Sequence, residues 1–205
     1  MKTTLLLARH GNTFSPGDVV TRVGARSDLP LVASGLEQGR KLGLYLAQQG
    51  LAPDVVFCSA LQRTRQTAEQ ALAAAGLSTP IKVNDLFNEI DYGVDENRPE
   101  ADVVARVGAD ALKAWDEDAV VPEGWKVDVQ AIIRGWKAFG EQIVREYPGK
   151  KVMVVTSNGI ARFSPHLTGD FAGFRKEHKL KISTGALCLL THEGGWRVEA
   201  WNVKP

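Results

Sequence analysis

The stretch LLLARHGNT, Leu5 to Thr13, constrains this chain most: a short apolar run, suited to a strand buried on both faces, ends on Arg9-His10-Gly11. In sheets covered by helices, ligands gather at the carboxyl ends of strands. A histidine beside an arginine, followed by a glycine that lets backbone N–H groups approach closely, suits a held phosphate under attack by imidazole. His10 is therefore a candidate nucleophile and Arg9 a candidate phosphate ligand.

Further short β-branched or apolar runs occur at Val55–Cys58, Val152–Thr156 and, more weakly, Ile81–Val83. Between them lie helical patterns: Gly35–Gln49 with Leu36, Leu42, Leu44 and Leu46, then Leu61–Ala75, then Val127–Tyr147 with Ile132, Ile133, Trp136, Phe139 and Ile143. Alternating strands and helices predict an α/β fold with a mostly parallel central sheet. Ala186–Thr191 and Trp196–Trp201, joined by His192-Glu193-Gly194-Gly195, read as an antiparallel hairpin at one edge. Gly93–Trp125 is richer in charge and proline than its neighbours and reads as an insertion with one helix, of the kind that forms a lid.

With 205 residues and 44% hydrophobic content, the chain supports one sizeable core, so a single domain over 1–205 is expected. Lysine plus arginine (25) nearly balance aspartate plus glutamate (24), so no global field draws nucleic acid or an anionic membrane. Any anion site is local. The N-terminal MKTTLLLA is too short for a signal sequence and no later run approaches a membrane span, so a cytoplasmic protein is expected. Cys58 and Cys188 sit in strand-like runs without a partner at metal spacing and read as buried reduced thiols. Composition sets no oligomeric state.

Two more segments carry chemistry. In FCSALQRTRQTAE, Phe57–Glu69, a strand gives way to a helix with Arg63 and Arg65 in its first turns, and a helix N-terminus favours anions. Arg63 is a candidate bidentate phosphate clamp; Arg65 reads as a solvated helix residue. In LFNEIDYG, Leu86–Gly93, Glu89 lies among hydrophobic residues, where a carboxyl holds its proton more strongly and can protonate a leaving alkoxide.

These segments, in this order, resemble the histidine phosphatase superfamily, in its phosphoglycerate-mutase-like branch. LARHGNT resembles the Arg-His-Gly signature, RSDLPLVASGLEQGRKL the D-x-P-L-x-x-x-G-x-x-Q segment, SALQRTRQTA the S-x-L-x-R-x-x-Q-T-A segment, and NEIDYG the E-x-x-x-G motif. The resemblance implies a three-layer α/β sandwich and a reaction needing no metal or other cofactor. It implies His10 as phosphorylated nucleophile, Glu89 as proton donor, Arg9 and Arg63 as phosphate ligands, and Gly24 and Tyr92 near a small phosphorylated substrate.

The chain departs from the family at VVTSNGIAR, Val154–Arg162, where Asn158 stands in place of the usual second histidine. An asparagine amide donates hydrogen bonds to phosphate without positive charge, so binding survives while rate suffers. Asn12 is weighed as a compensating contact or a turn former. His166, read late in a helix after Asn158, His178 and His192 read as structural or exposed. Trp136 reads as packing; Trp115 and Trp125 are split evenly between core and pocket wall, while Arg98, Arg106 and Lys126 read as solvated charges. The expected function is phosphomonoester hydrolysis through phosphohistidine. The alternatives are a phosphomutase and a phosphate-binding pseudoenzyme with weak or no turnover.

Overall fold

The computed structural model describes residues 1–205. Its strands are β1 (Thr3–Arg9), β2 (Val55–Cys58), β3 (Ile81–Val83), β4 (Lys151–Thr156), β5 (Leu187–His192) and β6 (Trp196–Val203). They form one six-stranded sheet in the order β3-β2-β4-β1-β5-β6. The pairs β1–β4, β4–β2 and β2–β3 are parallel, whereas β5 runs antiparallel to β1 and β6 antiparallel to β5. The expected C-terminal hairpin thus forms an edge of a mixed sheet.

Strand side chains alternate between faces, and this alternation divides the core into two layers. Leu6, Ala8, Val56, Cys58, Met153 and Val155 pack with buried residues of α1 (Ala33–Gln48) and α2 (Gln62–Ala74). Leu5, Leu7, Phe57, Val152 and Val154 face the other way, onto Trp136, Phe139 and Ile143 of α5 (Val129–Glu146). The result is helix, sheet, helix. No helix is long and apolar enough to cross a membrane.

The buried face of α1 differs from the leucine pattern in the sequence. Gly35, Gly39, Leu42, Gly43 and Leu46 face inward, while Leu36 and Leu44 are each 36% exposed. Glycines at i, i+4 and i+8 share one helical face, and that face meets α2 so closely that a Cβ on Gly43 would lie 2.0 Å from the Ala71 carbonyl oxygen. Close approach of backbones, which hydropathy does not register, decides the orientation.

The segment from 93 to 125 holds two helices rather than the one expected, α3 (Glu100–Val107) and α4 (Ala109–Asp118). Gly108, at φ +84°, separates them. Beyond β4 come α6 (Asn158–Ala161) and α7 (Phe171–Glu177). His166 is not on a continuing helix. It lies in a 3₁₀ turn, Ser164–Thr168, whose Pro165 has no N–H with which to extend an α-helical ladder. The His166 ring stacks on Phe171 at 3.8 Å. Trp115, Trp125 and Trp136 are all buried in one apolar cluster. Both cysteines are free and buried, and burial pushes the Cys58 thiol up to about 11 and Cys188 to about 12.

Gly43→Ala tests the close α1–α2 contact. Alanine gains about 1 kcal/mol of helix propensity, but the added Cβ meets backbone, and such overpacking costs about 1–3 kcal/mol or more. The expected outcome is a lower urea midpoint at unchanged slope; a stabilised variant would refute the contact.

Candidate functional site

The end of β1 is clamped between the two helices of its layer. The Gly11 N–H donates to the Thr67 hydroxyl of α2 at 3.0 Å, and a Cβ on Gly11 would lie 2.4 Å from the Gly35 carbonyl oxygen of α1. The Asn12 N–H donates to Gln38 at 2.8 Å. His10, 7% exposed, is joined to β4 through its N–H and the Thr156 carbonyl.

The imidazole Nδ1 lies 2.7 Å from the Gly11 carbonyl oxygen. Because a carbonyl only accepts, Nδ1 carries the proton and Nε2 keeps its lone pair. Burial first, then the charges of Arg63 and Arg9, hold the His10 pKa well below 6.5; the Gly11 hydrogen bond opposes them weakly. The ring is a neutral, oriented base. Burial outweighs the arginines.

Glu89 is also buried, at 7% exposure. The Thr156 hydroxyl donates to the Phe87 carbonyl at 2.7 Å and so ties the Glu89 loop to the end of β4. One carboxylate oxygen accepts from the Ile90 N–H at 2.9 Å and the other from the Gly159 N–H at 3.3 Å. Burial raises the Glu89 pKa against the pull of those N–H groups, Arg63 and Arg9. Gly159 leaves the carboxylate its room, since a Cβ there would be 2.3 Å from Oε1. The glycine at the end of the Glu89 motif has its own reason: Gly93 sits at φ +57°, and a Cβ would lie 1.8 Å from the Gly124 carbonyl oxygen.

Asn158 opens α6, and its Oδ1 accepts from the Ile182 N–H at 2.9 Å. That bond fixes the amide, turning its NH₂ donors away from Ile182. The carbonyl of the same residue, Ile182, accepts from Arg9 at 2.6 Å. One backbone residue therefore orients both side chains. Arg9, His10, Glu89, Tyr92 and Asn158 all line one cavity of about 350 Å³, within the size range of small-molecule sites.

Arg63 and Gly24 do not line that cavity. Arg63 is fully buried, donating to the Ser27 carbonyl at 2.7 Å and the Gly24 carbonyl at 3.1 Å. It lies close enough to depress His10 by its charge. Gly24 is packed where a Cβ would be 2.3 Å from Glu96 and 2.6 Å from Tyr92; it holds Arg63 rather than facing the cavity. Asn12 does line the cavity, but its amide is engaged by Ser34 and Thr184. His166, His178 and His192 do not line it. Arg106 pairs with Asp95, and Arg98, Arg106 and Lys126 are exposed outside the cavity wall.

Sequence reasoning missed several wall residues. Arg22, Glu100, Asp116 and Lys181 line the cavity, as does Trp115, which the sequence left evenly between core and pocket wall, and the fully buried Arg162 anchors α4 through the Trp115 carbonyl at 2.7 Å. Arg22 and Lys181 are single loop residues, and Glu100 and Asp116 are single charges on the charged helices α3 and α4, so none carries a spacing signal; only Arg162, at the end of the segment that holds Asn158, lay in a recognised motif. No group of three or more His, Cys, Asp or Glu side chains is disposed to hold a metal ion.

Among curated relatives, the chain is 33% identical over 121 residues to 2,3-bisphosphoglycerate-dependent phosphoglycerate mutase of Clavibacter michiganensis subsp. michiganensis, covering 58% of this chain and 47% of that one. It is likewise 33% identical over 121 residues to the mutase of the same name from Rhizobium etli, covering 58% and 56%. The chain spans about half the length of the curated relatives it matches. Its fold is shared by a mycobacterial glucosyl-3-phosphoglycerate phosphatase (TM-score 0.78, 20% identity, 99% and 100% of the two chains). It is shared too by a phosphoglycerate mutase from Bacillus anthracis (TM-score 0.81, 18% identity, 99% and 94%). The model of the histidine phosphatase superfamily (branch 1) matches residues 5–204, and the chain belongs to that superfamily.

Proposed function

We propose that this protein is a phosphomonoester hydrolase that works through a phosphohistidine on a small phosphorylated metabolite. The observation that carries this reading is the His10 ring, held by Gly11 as the tautomer with a free Nε2 and kept neutral in a cavity shared with Arg9, Glu89 and Asn158. Nε2 attacks phosphorus in line, and the ester P–O bond breaks. Arg9 and the Asn158 amide hold the equatorial oxygens, while Arg63 adds positive charge near His10. Glu89 gives its proton to the leaving oxygen. A water molecule then loses a proton to the Glu89 carboxylate and attacks phosphorus; the N–P bond breaks, releasing phosphate and restoring both residues.

In this reading the chain is one domain, and the segment from 93 to 125 acts as its lid. The names of the curated relatives favour a second reading, phosphoryl transfer back to the substrate as in a mutase. Following inorganic phosphate and isomerised ester side by side distinguishes the two.

His10→Ala is expected to fold and to lose turnover on phosphomonoesters. Wild-type protein given substrate should carry acid-labile phosphate transiently, and the variant should carry none. Hydrolysis by the variant with normal kinetics would remove His10 from the reaction.

Glu89→Gln keeps the shape of the protonated acid but has no proton to transfer, so turnover on alkyl phosphates should fall by about 10²–10⁴-fold. Aryl phosphates, whose leaving oxygen needs little protonation, should suffer less. Stability gives an independent check. The folded-state pKa of Glu89 is raised, so its favourable contribution is present at low pH and is lost as pH rises through the raised value. Relative to wild type, Glu89→Gln should therefore be more stable at pH 8 than at pH 4; equal differences at both would contradict the burial of this charge.

Asn158→Ala removes a transition-state donor worth about 3 kcal/mol, so turnover should drop by about a hundredfold. An unchanged rate would show that Asn158 does not touch the phosphoryl group.

A further inference from the structure

The cavity walls beyond the phosphoryl end set each lining cation against a carboxylate. Arg22, from the loop after β1, binds the Glu100 carboxylate at the start of α3. Its guanidinium also lies over the rings of Tyr92 and Trp125, 5.3 and 5.2 Å from their centroids, and its Nε is buried. Across the cavity, the Lys181 ammonium is 3.6 Å from Asp116. The other oxygen of Asp116 lies 3.2 Å from Arg162, which is itself buried and bound to the Trp115 carbonyl. Of the lining cations, Arg22 is thus matched by the lining carboxylate Glu100, while Lys181 shares the lining carboxylate Asp116 with Arg162.

That placement of carboxylates bears on what the substrate carries besides its phosphate. A second phosphate or a carboxylate entering here must displace Glu100 or Asp116 from its cation or lie against it, and like charges brought together at a binding surface are costly. A hydroxyl group meets no such penalty, because each carboxylate has acceptor positions beyond those its cation fills. The rest of the wall suits an uncharged group, with Thr13 and Thr21 beside Phe14, Leu112 and Trp115. Resting on the hydrolase reading above, we propose that the substrate is a phosphomonoester whose remaining part is uncharged and hydroxylated, and that Glu100 is the residue selecting against a second acidic group.

Glycerol 3-phosphate and 3-phosphoglycerate test this, since they share a three-carbon skeleton and differ at one end, hydroxymethyl against carboxylate. Equilibrium binding of each is measured by calorimetry on His10→Ala protein, so that turnover plays no part. Glycerol 3-phosphate is expected to bind at least about tenfold tighter. Adding Glu100→Gln should shift that ratio about tenfold toward the acid by freeing Arg22, whereas Glu100→Asp, which keeps the charge, should preserve the preference. Tighter or equal binding of the acid, no binding of glycerol 3-phosphate, or a ratio unmoved by Glu100→Gln overturns the proposal. Wild-type protein that binds glycerol 3-phosphate with this preference yet releases no phosphate from any monoester overturns the hydrolase reading instead.

Discussion

The contact on which the site depends is the clamp at Gly11. Its N–H is held by Thr67 of α2, and its Cα lies against the backbone of Gly35 in α1. Because His10 uses the carbonyl of that same glycine to hold Nδ1, the orientation of the imidazole follows directly from how closely the two helices close on the end of β1. Hydrophobic burial supplies the stability of the sandwich, but it is non-directional. Direction comes from this seam. Leu31 and Gln66, joined through a backbone N–H at 2.7 Å, and Asp28, whose carboxylate accepts the Gln62 N–H at the start of α2, extend it toward the Arg63 side.

Around the clamp the protein buries positive charge and answers it mostly with neutral partners. Arg9 donates to Ile182, Arg63 to Ser27 and Gly24, and Arg162 to Trp115, in each case to a backbone carbonyl. Carbonyls satisfy the hydrogen-bonding need of a guanidinium without cancelling its charge. Burial lowers the pKa of all three arginines, although each stays charged in the normal range. Glu89, the buried carboxylate facing them, has its own pKa raised and so tends toward the neutral form. The outcome is a fixed positive field in a poorly solvated space, where preorganised charges act more strongly than in water. Together with burial, the larger cause, such a field keeps His10 deprotonated.

Much of this was legible in the sequence because it is written in local patterns. Apolar runs marked the strands to within two residues, and Arg9, His10, Glu89, Tyr92 and Asn158 were recognisable by position and do meet in one cavity. Other features depend on packing that no local pattern carries. Glycine adds nothing to hydropathy, so the inward face of α1 looked as though it belonged to its leucines. Gly108 cuts one helical stretch into two through a backbone angle. Arg63 was identified by a helix N-terminus, but the carbonyls of Ser27 and Gly24 hold it behind the wall, and Gly24 serves that hold. Arg22 and Arg162 owe their places to Glu100, Tyr92 and Trp115, all distant in the chain.

The short helix α6 shows how Asn158, at the position where the sequence resemblance implies a histidine, is held in place. Four residues make too little helix to be stable alone, so α6 is held by its neighbours: Ile182 at Asn158, Glu89 at Gly159, Trp136 at the Ile160 carbonyl, and α4 at Arg162. The Ile182 N–H needs an acceptor, and the Asn158 Oδ1 provides it while leaving NH₂ donors. A histidine that accepted the same bond through one ring nitrogen would have to be neutral, donating through the other. It would gain a positive charge only by giving up Ile182, whose carbonyl also orients Arg9. At this position, then, asparagine and an Ile182-bonded histidine present the cavity with the same kind of uncharged donor, and the positive charge nearby is that of the buried arginines.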